Sequence, residues 1–158
     1  MAALADAYLG ALFDTYPTMA AALGLHEYDG RMPDVQEPAR ARRLAALQGF
    51  RARLDAIPGD SIDPEDAHDH ILLSLAIDEE RFELEQLRDF ERNPLAFSGP
   101  LDVSGYIKRD YAPLDQRVQV LSEHLRQVPD YLRNAQETLR EPVPRPFLSR
   151  RRWRSMAA

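Results

Sequence analysis

The sequence predicts an all-α fold: an irregular bundle of about five to seven helices, with one long central helix near Pro64–Arg92. Almost every long segment repeats its apolar residues at intervals of three and four, which is the helical period. Proline and glycine separate these segments, and no segment alternates apolar and polar residues as a strand would. A hydrophobic fraction of 44% in 158 residues is enough for the core of one domain.

The N-terminal third predicts three helices. Residues Ala3–Tyr16 have helical period, and Pro17 ends this helix or begins a short second one that stops at Gly24. The loop that contains HEYDGRMPD follows. A third helix is predicted over Glu37–Ile57, with leucines and a phenylalanine on one face and arginines on the other, which we expect to face solvent.

The central helix has the clearest start signal in the chain. Asp63 is placed as N-cap and Pro64 as the first helical residue, and two acidic residues follow in the first turn, where carboxylates suit the helix dipole. Residues Ile71–Ile77 are apolar on nearly all sides, so we expect a complete domain to cover them on all sides. In a fragment, part of this surface would be exposed. The carboxylates of residues 78–85 are interpreted as a solvated face.

The C-terminal half contains an aperiodic connector, Asn93–Tyr106, and a long apolar stripe. The stripe over Leu114–Leu139 alternates spacings of four and three, as in a heptad repeat, but contains Pro129, where we expect a kink or a restart. Two kinds of partner could bury such a stripe. We favour other helices of the same chain; the alternative is a second copy of the chain in a homodimer.

Charge and composition exclude several classes of function. The chain has 20 Lys and Arg against 26 Asp and Glu, so its net charge of −6 argues against a nucleic-acid partner. The basic tail SRRRWRSMAA is interpreted as solvated. No apolar run is long enough to span a membrane, and the N-terminus lacks the basic region with which a secretory signal begins. We therefore expect no membrane partner and a cytoplasmic location. The absence of cysteine excludes disulfides and thiolate metal sites.

The stretch LGLHEYDGRMPD begins like the zinc signature H-E-x-x-H but does not complete it. That signature needs a second histidine four residues after the first, and here Gly30 follows His26 at that spacing. In DAHDH, His68 and His70 point to opposite helix faces, and Glu123-His124 is followed by Val128 where a second ligand is needed, so it is interpreted as a surface dipeptide. We therefore assign this chain no catalytic residue, no metal ligand and no cofactor.

Three stretches carry a resemblance to a known family: PTMAAALGLHEYDGRMPD, FERNPLAFSG and the segment from YIKRDYAPLDQ to EPVPRP. In this order they resemble the N-terminal part of a bacterial family of unknown function, whose members look like all-α zinc metallopeptidases of the H-E-x-x-H, gluzincin-like type. The resemblance covers residues 5–147. It implies that full-length relatives bind zinc through residues well beyond this region, so this chain would be catalytically incomplete.

The resemblance also gives an interpretation of the HEYDGR loop and of the chain's organisation. In a complete relative, His26, Tyr28 and Asp29 would line the substrate cleft; alternatively the loop is a structural turn in which Asp29 binds nearby backbone amides. Residues 1–147 would form the N-terminal helical portion of a larger domain, and residues 148–158 a disordered tail outside the family pattern. Such a chain would be truncated or frameshifted after about Phe147, with the missing C-terminal portion or a homodimer as its partner.

The frameshift interpretation makes a prediction about the gene. In one of the other two forward frames, the DNA that encodes SRRRWRSMAA should continue the amphipathic pattern without a stop. It should then reach an H-E-x-x-H motif, because a catalytic zinc needs three protein ligands. Sequencing a few hundred codons past Phe147 checks this. Stop codons in both frames, or no such motif, would contradict the interpretation.

Overall fold

The computed structural model describes residues 1–58 and 62–140 and confirms the predicted all-α class. Within these residues there are seven α-helices and no strand. The helices are α1 (Ala2–Thr15), α2 (Pro17–Ala22), α3 (Glu37–Asp55), α4 (Ala67–Phe82), α5 (Asp89–Arg92), α6 (Ser104–Lys108) and α7 (Leu114–Thr138). The predicted boundary at residue 147 and the tail 148–158 lie outside the described residues.

The long helix predicted near Pro64–Arg92 is present, but it begins later and ends earlier than these bounds. Residues 64–66 form a turn, and α4 begins at Ala67 with Asp66 as N-cap. The Asp66 carboxylate lies 3.4 Å from the N-terminal amino group, a contact that no local signal indicates. After Phe82 the chain makes one π-helical turn, Glu83–Leu87, and then reverses at Arg88, which has a left-handed φ of 50°. This conformation ends the helix before α5.

The first part of the core joins α1, α3 and α4. Its buried members are two residues of α1, three of α3 and two of α4: Leu4, Tyr8, Leu47, Phe50, Leu54, Leu73 and Ile77. Tyr8 and Phe50 meet edge to face, with ring centroids 5.6 Å apart. These three amphipathic helices therefore form one packed layer, as the helical period predicts.

The second part of the core attaches the C-terminal half of α7 to the connector. Its buried members are Val35, Phe97, Tyr131 and Ala135. The Tyr131 hydroxyl donates to the Phe97 carbonyl at 3.1 Å, and the Thr138 hydroxyl donates to the Val35 carbonyl at 3.1 Å. The connector is not irregular: it forms two 3₁₀ turns, Pro94–Phe97 and Gly99–Leu101, followed by α6.

A buried ion pair links α3 to α4 and corrects two sequence interpretations. Arg43, placed on a solvent face, is 4% exposed, and Glu80, placed in a solvated carboxylate series, is 8% exposed. The Arg43 guanidinium holds both Glu80 carboxylate oxygens, at 2.7 Å from Nε and 2.6 Å from Nη2. The hydroxyls of Tyr16 and Tyr8 donate to the same carboxylate at 3.0 and 3.4 Å. Four hydrogen bonds compensate for the burial of this charged pair.

The outer face of α4 is apolar and open to solvent. On this face, which we define by Ile71, Leu72, Leu75 and Phe82, the first three side chains are 56%, 63% and 60% exposed. The opposite side of the helix is covered, since Leu73 and Ile77 are buried. The expectation that residues 71–77 are covered on all sides is therefore wrong.

The apolar stripe on α7 is only partly packed within the chain: Ala135 is buried and Leu139 packs beside it, whereas four other members of the stripe are exposed. Leu114, Val118, Leu125 and Leu132, which we call the outer face of α7, all remain exposed. At 3.6 residues per turn, the buried side of the helix is rotated by roughly a quarter of a turn from this stripe. The helix runs through Pro129 without a restart. Pro129 is exposed, so its ring meets no packed neighbour.

No helix among the described residues is both long enough and apolar enough to cross a membrane.

We expect Glu80→Ala to destabilise the bundle strongly, because it leaves the buried Arg43 charge without its carboxylate. Loss of one partner of a buried ion pair costs about 3–5 kcal/mol. The matched control is Asp78→Ala, two residues away on the same helix, which removes an exposed partner of Arg51 and should cost less than about 1 kcal/mol. Urea unfolding followed by circular dichroism measures both. Equal losses of unfolding free energy would contradict the central role of the buried pair.

Candidate functional site

The HEYDGR loop forms one wall of a cavity of about 330 Å³. The opposite wall comes from α6 and the residues that follow it, and one buried histidine of α7 closes the inner end. Its polar lining comprises Thr18, His26, Asp29, Asp102, Ser104, Tyr106, Lys108, Arg109, Tyr111 and His124. The cavity has the volume and the convergent polar groups typical of small-molecule and peptide side-chain sites.

His26 is held in a defined orientation at this cavity. The loop forms a 3₁₀ turn, His26–Tyr28, which brings His26 Nδ1 to 3.1 Å from Asp29 Oδ2. The imidazole stacks on the Tyr111 ring, with centroids 3.9 Å apart and planes within 5° of parallel. When the Nδ1 hydrogen binds the carboxylate, Nε2 carries the lone pair and can accept a hydrogen bond. Such a pair can bind a hydroxyl or amide donor, or accept its proton.

Tyr111 contributes a protonated hydroxyl to the same region. Its side chain is partly buried, and this burial together with the nearby Asp29 carboxylate raises the pKa of Tyr111 to about 12. The phenol therefore remains neutral at physiological pH. Asp29 is itself shielded, since its side chain is only 7% exposed. The three side chains thus form a compact polar cluster at the edge of the cavity.

Gly30 docks the loop onto α6 and α7. Its amide donates to the Tyr106 hydroxyl at 3.1 Å, and its carbonyl accepts from Gln127 Nε2 at 2.6 Å. Gly30 has a φ of 76°, and a Cβ atom there would lie 3.4 Å from Val120 Cγ1. Both the left-handed conformation and the close approach of α7 favour glycine. This contact positions His26 and Asp29 over the cavity.

Arg117 organises the opposite wall. From the first turns of α7, its guanidinium donates to the backbone carbonyls of Tyr106, Ile107, Arg109 and Ala112 and to the Asp110 carboxylate. These bonds span 2.8 to 3.5 Å. One side chain therefore fixes the path of residues 106–112, and with it the position of Tyr111 under His26.

His124 closes the inner end of the cavity and corrects the interpretation of Glu123-His124 as a surface dipeptide. It is 1% exposed, and its Nε2 lies 2.9 Å from the Pro100 carbonyl, to which the Nε2 hydrogen donates. Burial lowers the pKa of His124, although the bond to Pro100 acts in the opposite direction. The ring is therefore neutral at physiological pH, and its Nδ1 has no hydrogen-bond partner among the described residues.

The structure brings together two of the three predicted cleft residues. His26 and Asp29 line the cavity. Tyr28 instead packs edge to face on Phe13, with ring centroids 6.1 Å apart, and carries the Arg31 guanidinium over its ring. The alternative, a structural turn, is supported by the docking of Gly30, although the Asp29 carboxylate binds His26 in place of the expected backbone amide.

Sequence reasoning missed Tyr106, Tyr111 and Arg117. They lie in a short stretch, YIKRDYAPLDQR, that lacks apolar period. Its two tyrosines and alternating charges were the only signal of a site. No group of three or more His, Asp or Glu side chains that could hold a metal ion occurs in residues 1–58 and 62–140.

Comparisons with known proteins place the chain in a family. The model of a bacterial family of proteins of unknown function, DUF885, matches residues 17–155. The solved structure of a candidate lipoprotein of unknown function from Shewanella oneidensis is similar, with a TM-score of 0.79 and 21% sequence identity. The likeness covers 88% of this chain and 26% of that one, so the chain spans about a quarter of the length of this relative. Among curated proteins, none matches the chain.

The buried His124 predicts a pH dependence of stability. An unfolded histidine binds its proton near pH 6.5, whereas folded His124 does so only at lower pH. The contribution of His124 to the free energy of unfolding is therefore complete above the unfolded pKa, near pH 6.5. It is lost as the pH falls from there towards the folded pKa, by at most about 1.4 kcal/mol per pH unit.

Urea unfolding between pH 7.5 and 5.5 measures this dependence. We expect His124→Gln to flatten the slope, while His68→Gln, at an exposed position of α4, leaves it unchanged. The same slope in His124→Gln and the parent chain would contradict the assignment.

Proposed function

Because the chain belongs to the bacterial DUF885 family, we propose that it is the helical N-terminal portion of a larger zinc-peptidase-like protein. In this proposal the zinc ligands and the catalytic glutamate belong to a part of the protein outside this chain. The portion described here supplies a helical scaffold and one polar wall of the substrate cleft. By itself it has no peptidase activity.

The observation that carries this proposal is the exposure of two apolar helix faces. Monomeric proteins rarely expose large contiguous apolar surfaces without a partner. Here the outer face of α4 and the outer face of α7 together expose eight large aliphatic or aromatic side chains. Additional helices of a longer protein would bury them, at roughly 1.5–3 kcal/mol for each fully covered side chain. The Shewanella relative is more than three times as long as this chain, which supports the presence of such helices in the family.

The peptidase half of the proposal rests on the resemblance of the three stretches quoted above. It is compatible with the site, because a zinc peptidase needs groups that orient the peptide as well as metal ligands. His26 and Asp29 could bind the amide or hydroxyl groups of a peptide, and the cationic Lys108 and Arg109 on the opposite wall could bind a carboxylate. These groups bind and position the substrate and do not activate water.

A second candidate function is a helical module that dimerises through α7. The specific observation in its favour is that Leu114, Val118, Leu125 and Leu132 lie along one side of a 25-residue helix and are all exposed. Two such helices in antiparallel or parallel contact could bury the stripe in the manner of a coiled coil. This candidate leaves the outer face of α4 uncovered, which is why we prefer the first.

Size-exclusion chromatography with light scattering distinguishes the two candidates. The portion of a larger protein should be a monomer or a polydisperse associating species, and Leu125→Glu on α7 and Leu72→Glu on α4 should reduce its association alike. A discrete dimer that dissociates with Leu125→Glu but persists with Leu72→Glu would contradict the first candidate and support the module. Circular dichroism of each variant confirms that the helices are retained.

A further inference from the structure

A second cavity adjoins the first, and residues of α2, the start of α3 and the connector contribute to its lining. Its volume is about 380 Å³, within the range of small-molecule sites. Most of its wall is apolar and comes from Met19, Ala22, Val35, Leu84, Phe90, Ala96, Pro100 and Tyr131. Nothing in the proposed peptidase-like role uses this cavity.

Arg43 is the polar group that distinguishes this cavity from an ordinary packing defect. It belongs to the lining and is buried. Its Nε and Nη2 hold Glu80, but Nη1 is buried without a hydrogen-bond partner among the described residues. A buried donor that lacks an acceptor destabilises the folded state by its lost hydration. An acceptor atom brought to Nη1 by a ligand would recover that free energy.

The surrounding charges indicate what kind of acceptor this would be. Glu80 neutralises Arg43 through their bidentate ion pair. Arg40, which also lines the cavity, pairs with Glu37 and Glu91. Two further carboxylates, Asp34 and Asp102, are part of the wall. With both cations already paired and these carboxylates nearby, a ligand anion would meet little net attraction. An uncharged carbonyl oxygen avoids the cost of desolvating an anion.

We propose that this cavity is a binding site for an uncharged apolar carbonyl compound whose oxygen accepts a hydrogen bond from Arg43 Nη1. The apolar part of the ligand would lie against Met19, Val35 and Phe90. Binding would give Arg43 Nη1 the hydrogen-bond acceptor that the ion pair with Glu80 does not provide. The cavity adjoins the His26 cavity, with which it shares Thr18, Ala22 and Asp102, but the proposal does not depend on whether the chain is part of a peptidase.

Three probes of nearly the same shape test the proposal: acetophenone, benzoate and α-methylstyrene. The first offers a neutral carbonyl, the second a charged carboxylate and the third no acceptor. In ¹⁵N-resolved NMR titrations of the whole chain, we expect acetophenone to shift the Arg43 side-chain signal in a saturable manner. Its dissociation constant should be at least tenfold lower than that of either of the other probes.

Glycine variants locate the binding. Gly99 lines the cavity and has room for a side chain, since an added Cβ atom would meet nothing within 4 Å. Gly99→Leu should therefore weaken acetophenone binding at least tenfold. Gly49→Leu, on the exposed side of α3 and also without a neighbour within 4 Å, is the matched control and should bind as the parent does. If Gly99→Leu fails to fold, Met19→Trp adds bulk to the wall of the same cavity.

The proposal is overturned by any of three results. The first is that acetophenone produces no saturable shift at Arg43. The second is that α-methylstyrene or benzoate binds as tightly, because then the neutral acceptor contributes nothing. The third is that neither Gly99→Leu nor Met19→Trp weakens binding in a folded variant.

Discussion

The buried contact between Arg43 and Glu80 is the interaction on which the rest of the bundle depends. It joins α3 to α4, and the two tyrosine hydroxyls that donate to Glu80 bring in α1 and the start of α2. Burial, followed by the Glu80 charge, raises the pKa of Tyr8 to about 12, so this hydroxyl remains a donor at neutral pH. Four helices thus meet at one carboxylate. The same guanidinium borders the larger cavity, so the scaffold and the proposed ligand site share a residue.

Much of the fold could be predicted from apolar period and helix boundary residues. The first three helices follow directly from Pro17, Gly24 and the apolar row of α3. Arg43 and Glu80 could also have been found, because each continues a buried apolar row: Arg43 precedes Leu47 by four residues, and Glu80 follows Ile77 by three. Charge alone led to the solvent assignment. A charged residue in register with a core row indicates a buried pair when its partner lies in register on another helix.

The candidate site was less predictable, since long-range contacts create it. The sequence indicates a turn at HEYDGR, but only the fold brings Tyr111 under His26 and places His124 at the base of the cavity. On α7, the leucine stripe has the clearer apolar period, but it is less buried than the side of the helix that contains His124, Tyr131 and Thr138. Beside Ala135 of the stripe, these are the buried residues of α7, and no hydrophobic count would select them. Propensity and period describe one helix at a time, whereas the burial of each side depends on its neighbours.

The bundle is well packed around the buried ion pair and yet leaves two apolar faces open. Methyl NMR of the whole chain in the presence of a soluble paramagnetic agent measures this directly, because relaxation reports the approach of solvent to each side chain. We expect strong relaxation of the methyl groups of Ile71, Leu72, Leu75 and Leu125, and weak relaxation of those of Leu47, Leu54 and Ile77. Equal protection of the two sets would contradict this packing.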